Sequence, residues 1–212
     1  LSIWITGGGS GVGAALARQL AQAGEQVVIT GRQGEDLAEV AAGQPGILPF
    51  PIDVADSSAV RNGVQRIERD IAPISLAVLT SAASALMPLG RLERDRLRSQ
   101  ADAGVGGALN CLGALVPVLR QRGSGHVAVL PPSGKGEGGP LITLLLSLSR
   151  DLAGSGVKIQ VIDPDLIEGP AEEQSVRSAD AILRGLRSFK ASVGESGGGG
   201  LWEFFKGLLP GQ

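Results

Sequence analysis

The run TGGGSGVG at residues 6–13 decides how this chain is to be read. It follows the apolar stretch LSIWIT at residues 1–6 and precedes AALARQLAQAG, whose apolar residues recur at helical spacing before Gly24. A strand, a glycine-rich turn and a helix in that order present backbone N–H groups at a helix N-terminus. The peptide dipoles there favour an anion, and glycines let a phosphate approach the backbone closely. A glycine loop can also be an ordinary tight turn, and what raises this one is its position between a first strand and a first helix.

The same alternation continues outward. QVVIT (26–30) is a second buried strand, 36–42 a short helix, and 47–52 a third strand. SAVRNGVQRIERDI (58–71) is helical, with Val60, Val64 and Ile67 on one side and charges on the other. LAVL (76–79), HVAVL (126–130) and KIQVI (158–162) are three further strands. Between them, 91–121 carries two helical segments broken around Gly104–Gly107, and 141–152 is a third, very apolar helix. Short apolar strands alternating with helices predict a parallel sheet covered on both faces. The expected fold is α/β, a Rossmann-like doubly wound single domain over 1–193. A glycine-rich linker (194–200) and a short amphipathic segment (201–212) follow it.

Composition narrows the function. A net charge of −2 among 212 residues argues against a nucleic-acid footprint. One cysteine, Cys111, excludes an internal disulfide and fits a reducing cytoplasm, the expected location. One histidine and one cysteine make a poor metal-ligand set, so no metal is expected. No apolar run reaches the roughly 18–20 residues of a membrane span. The 201–212 segment is too short and too weakly basic to hold a lipid surface alone, so it is expected to dock on its own domain or on a partner.

The phosphate loop resembles that of the short-chain dehydrogenase/reductase family, T-G-x-x-x-G-x-G, here Thr6, Gly7, Gly11 and Gly13. The resemblance runs to about residue 170, with a weaker echo in ADAILRGL (179–186). It implies a dinucleotide held by Thr6, Gly7, Gly9, Ser10, Gly11, Val12 and Gly13, with Ala82 following the fourth strand. Gly31 stands where NAD-preferring members carry an acid, and Arg32 suits a 2′-phosphate, so NADP(H) is expected over NAD(H). IDVAD (52–56) matches the family's D-V step and implies that Asp53 faces the adenine edge and Val54 its ring.

The nicotinamide half departs from the family. Its N-N-A-G reads TSAA (80–83), and Gly104 stands in the slot of its helical Asn, with Asn110 two turns away on a helix surface or interface. The Ser slot falls on Pro131 or Pro132, with Ser133 beside it; the Tyr and Lys slots fall near Gly134 and Gly138. P-G-x-x-x-T reads PDLIEG (164–169), placing Asp165 and Gly169 in the Gly and Thr slots. No realignment supplies the Tyr, because the 212 residues contain none. Ser133 with Lys135 is the nearest substitute pair, but their glycine-rich loop offers no preorganisation. His126 is expected at a strand edge and Cys111 in helix packing. No catalytic residue is therefore assigned.

Two functions compete: an NADP(H)-binding member without hydride transfer, acting through contacts with its own copies or a relative, and an NADPH-dependent carbonyl reductase or alcohol dehydrogenase using unconventional groups. The resemblance places the oligomer contacts on the 91–121 and 141–152 helices. Leu141, Ile142, Leu144, Leu145, Leu146 and Leu148 make the latter apolar nearly all round, so both its sides should be buried.

Overall fold

The computed structural model describes residues 1–80, 102–130, 139–162 and 171–193. Six strands form one parallel sheet: β1 (Ser2–Thr6), β2 (Val27–Thr30), β3 (Ile47–Pro49), β4 (Ile74–Thr80), β5 (Gly125–Leu130) and β6 (Val157–Val161). Their spatial order is β3-β2-β1-β4-β5-β6. The order reverses between β1 and β4, and such a switch point opens a crevice at the carboxyl ends of the two strands. The helices are α1 (Gly11–Gln22), α2 (Gly34–Ala41), α3 (Ser57–Arg66), α4 (Gly107–Arg122), α5 (Gly139–Asp151) and α6 (Ala171–Val193).

Successive strand residues point to opposite faces, so β1 supplies both cores. Ile3 and Ile5 pack with Leu16 and Leu20 of α1, Leu37 of α2, and Ile182 and Leu186 of α6. Trp4 packs on the other face with Val60 and Val64 of α3, Leu115 and Leu119 of α4, and Leu145 of α5. A buried indole N–H needs an acceptor. Trp4 Nε1 donates to Thr30 Oγ1 at 3.1 Å, and the Thr30 hydroxyl lies 3.4 Å from the Ile5 carbonyl.

The opposite edge of the sheet is pinned by a clasp. Glu68 lies in a π turn after α3 (Ile67–Ile71). It accepts from the Ile74 N–H at 2.8 Å and from Arg122 Nη1 at 3.0 Å, while Arg122 Nη2 donates to the Ile74 carbonyl. The pair therefore satisfies the entrance to β4 and the end of α4 together.

Several expectations change. The third strand ends at Pro49 rather than residue 52, although Phe50 and Ile52 N–H groups still bond the β2 side at 2.9 and 3.1 Å. The first of the two segments expected over 91–121 lies outside the described residues up to 101; from there a π turn (Asp102–Gly106) runs directly into α4, whose cap Gly106 is itself helical. His126 stands near the start of β5, the expected end of the strand, but it is buried, with β5 lying between β4 and β6. Helix α5 buries Leu145, while Leu144 and Leu146 remain 44% and 56% exposed. Cys111 packs in the core beside Leu115, and burial pushes its thiol up to about 12, which makes it inert. The linker 194–200 and the segment 201–212 lie outside the described residues.

Candidate functional site

The crevice between β1 and β4 is closed at its floor by two threonines. The Thr80 N–H donates to Thr6 Oγ1 at 3.0 Å, and Thr80 Oγ1 donates to the Thr6 carbonyl at 2.6 Å. This double link joins the two strand ends where their helices diverge. Thr80 thus serves as a strand-to-strand latch.

From Thr6 the backbone turns through Gly7, whose φ of +64° disfavours a side chain. A Cβ there would also overlap Thr80 Oγ1. Gly8 packs on Ile29: an added Cβ would stand 2.5 Å from that side chain. Gly13 faces back onto the loop, where an added Cβ would overlap the Gly7 carbonyl oxygen and lie 2.9 Å from its carbon. The helix thus begins directly against the turn. Between these anchors Gly7, Ser10 and Gly11 are exposed, while Gly9 and Val12 are half-buried. Ser10 is the N-cap of α1 without a side-chain capping bond, and no acid occupies the first turn. The first amides of a helix have no partner within it. The result is a cradle suited to an anion, open outward and with no acid in the first turn of its helix.

The flank toward β2 carries Gly31, Arg32 and Asp36. Among the described residues, a Cβ at Gly31 would meet Leu37 Cδ2 at 3.5 Å and Cγ at 3.9 Å, both ordinary contact distances. Arg32 is exposed at the same strand end. Asp36 on α2 stands closest to Gly9, 3.1 Å from the place a Cβ would take.

Beyond β3 the chain forms a short loop over 53–56. Asp53 is exposed, and its Oδ1 accepts from the Ala55 N–H at 3.0 Å. Val54 is half-buried against α4, where a Cβ on Gly107 would come within 2.7 Å of it. Asp56 caps α3, accepting from the N–H groups of Ser58 and Ala59 at 2.8 and 3.0 Å. Asn110, expected on a helix surface, instead reaches this loop, and its Nδ2 donates to the Val54 and Ala55 carbonyls at 2.9 and 3.2 Å. Ser175 of α6 was also not foreseen: its Oγ lies 3.8 Å from the Cβ position of Gly11, beside the cradle.

Thus Thr6, Gly7, Gly9, Ser10, Gly11, Val12 and Gly13 come together at one strand-to-helix junction. Arg32 lies on the β2 flank, while Asp53 and Val54 follow β3. Ala82, Ser81, Ser133, Gly134, Lys135, Gly138, Asp165 and Gly169 lie outside the described residues. Gly104 is buried in the π turn, and among the described residues nothing stands within 4 Å of a Cβ built there. His126 sits at the amino end of β5, the opposite edge from the cradle.

A parallel sheet of this order, with a glycine cradle at its switch point, defines a Rossmann-type nucleotide-binding domain. Comparison with known proteins gives the family. The chain belongs to the short-chain dehydrogenases: the model described as short chain dehydrogenase matches residues 2–137. Members of this family generally bind nicotinamide cofactors and commonly form oligomers. An oxidoreductase of Botryotinia fuckeliana is 26% identical, the match covering 76% of this chain and 64% of that protein. An uncharacterized oxidoreductase of Myxococcus xanthus is 29% identical, covering 77% of this chain and 71% of the relative. A short-chain dehydrogenase from Streptomyces avermitilis shares the fold with a TM-score of 0.71 at 22% identity, over 97% of this chain and 91% of that one. The serine dehydrogenase of Escherichia coli does so with a TM-score of 0.72 at 20% identity, over 87% and 90%. Among the described residues, no helix is long and apolar enough to cross a membrane.

Proposed function

We propose that this protein binds NADP(H) through its phosphate cradle and transfers no hydride, acting instead through association with its own copies or with a relative. The observation that carries this reading is a complete anion cradle in a sequence of 212 residues without one tyrosine. A carbonyl reductase of this family needs a positioned phenol as proton donor, and losing a positioned acid costs a factor of ~10²–10⁴ in rate. Gly104 supports the same reading. A glycine at that position carries no amide side chain to hold a water or a substrate.

The cradle residues fit a dinucleotide. Gly7–Gly13 and the first turn of α1 would hold its pyrophosphate, and Asp53 and Val54 would border its adenine. The bound cofactor would supply a transferable hydride, and this chain's own residues bind and orient its adenosine half. Arg32 gives the NADP(H) preference, because a guanidinium forms charge-assisted hydrogen bonds to a phosphate. Arg32→Ala is expected to weaken NADPH about tenfold and leave NADH unchanged, a difference of about one charge-assisted bond at an exposed site. Parallel fluorescence titrations of the two cofactors measure it, and equal losses for both would refute the assignment.

The partner surface is the uncovered side of α5, with Leu144 and Leu146, together with exposed Leu109 on α4. Exposed apolar side chains gain by being covered. The oxidoreductase names of the relatives favour the second reading, a working reductase with unconventional groups. Turnover measured beside binding separates the two.

A further inference from the structure

We infer that Asn110 is a positioning residue that holds the adenine-side loop in its binding conformation from the neighbouring helix. This rests on the cofactor reading above, in which residues 53–56 border the adenine. Three observations carry it. First, both Asn110 contacts run from its amide nitrogen to backbone carbonyls, at 2.9 Å to Val54 and 3.2 Å to Ala55. Two carbonyl acceptors require two N–H donors, so the amide orientation is settled by chemistry, and neither carboxylate nor methyl could replace it. Second, the contact is made possible by Gly107, one turn earlier on the same helix. A Cβ there would come within 2.7 Å of Val54 Cγ2, so the glycine lets α4 approach closely enough for Asn110 to reach over Val54. Third, among the described residues the loop is otherwise hydrogen-bonded from outside only at its two ends, by the Ile52 N–H on the Gly31 carbonyl at 3.1 Å and by Asp56 as the cap of α3. Asp53 Oδ1 on the Ala55 N–H and the Asp56 N–H on the Asp53 carbonyl, at 3.0 and 3.1 Å, are both internal to the turn. They fix its shape but not its place against the sheet.

Asn110 therefore ties a locally formed turn to a helix 55 and 56 residues later in the chain. Without it the turn can keep its internal bonds and still drift from the position in which Val54 faces a planar ring. The adenosine half of the ligand would then have to restore that order on binding, which lowers affinity without removing any contact to the ligand itself.

The test titrates adenosine 2′,5′-bisphosphate and NADPH into the full chain, wild type and three variants. Asn110→Ala and Asn110→Asp, the latter of the same shape without donors, should weaken both ligands roughly five- to tenfold and by the same factor. Arg122→Met, which cuts the distant clasp to Glu68, lowers the melting temperature but should bind both as wild type does. Binding by Asn110→Ala within twofold of wild type overturns the inference, as does an equal loss in Arg122→Met, which would mark a general effect of instability. If wild type binds neither ligand, the cofactor reading falls, and the inference with it.

Discussion

Gly13→Val is expected to abolish cofactor binding and to destabilise the fold by about 2–4 kcal/mol, the range of overpacked, strained core sites. The reason is geometric. The first Cβ alone would overlap the Gly7 carbonyl oxygen and crowd Gly8 Cα at 3.2 Å. The obstacle is backbone, so no rotamer change relieves it. The helix must move from the strand, or the turn must open, and either displaces the amides that form the cradle. Urea unfolding gives the stability loss and an NADPH titration the loss of binding. A variant that unfolds at the wild-type midpoint and still binds would show that the helix does not start against the turn. Ser10→Glu is the complementary change. It sits exposed at the helix cap, so it should spare stability and repel the pyrophosphate.

The second large effect is a pH dependence carried by His126. Burial first, and the nearby Lys158 charge second, depress its pKa from 6.5 to about 4, against a hydrogen bond with Gln160 that pulls the other way. The folded state thus disfavours the proton that the unfolded chain accepts. Its stabilising contribution is complete above about pH 6.5, falls as the pH drops, and is lost once the pH has passed through about 4. The difference is on the order of 3 kcal/mol across that window. Unfolding midpoints between pH 4 and 7 should therefore fall more steeply for wild type than for His126→Leu, whose carboxylates titrate unchanged. Parallel curves would show that His126 is not neutral and buried in the folded state.

Much of the fold was legible because its signals are periodic. Apolar runs of four to six residues at regular intervals place all six strands, and the glycine loop locates the switch point. What failed to show was of another kind. Helix α6 opens on polar residues, and its burying positions Ala179, Ile182, Leu183 and Leu186 form one face of a segment read only as an echo. His126 gave no sign of burial, since a polar residue after GSG reads as a strand entrance until α6 is known to cover that face. Asn110 could not be assigned because its partners are carbonyls more than fifty residues away, and carbonyls have no sequence signature. The leucines of α5 leave the reading open: Leu145 is buried within the chain, and Leu144 and Leu146 are the side that an oligomer contact would have to cover.

The site was legible by halves for a physical reason. Phosphate recognition uses backbone amides and obligatory glycines, so its residues are forced and recognisable. Proton donation uses one side chain at one place, which leaves no comparable pattern along the chain to read. Cofactor selection lies between the two. Gly31 and Arg32 indicate it, yet Asp36 at 3.1 Å from the Gly9 Cβ position brings a carboxylate to the same flank, visible only once α2 is in place.

The central claim joins retained binding to absent chemistry, and one measurement addresses both. NADPH is titrated calorimetrically into the purified protein, and the loaded sample is then given a panel of ketones and aldehydes while cofactor absorbance is followed. The prediction is saturable binding that Ser10→Glu removes, with no carbonyl-dependent oxidation above that variant's level. Carbonyl-dependent NADPH consumption by wild type that Ser10→Glu eliminates would contradict it and establish a working reductase.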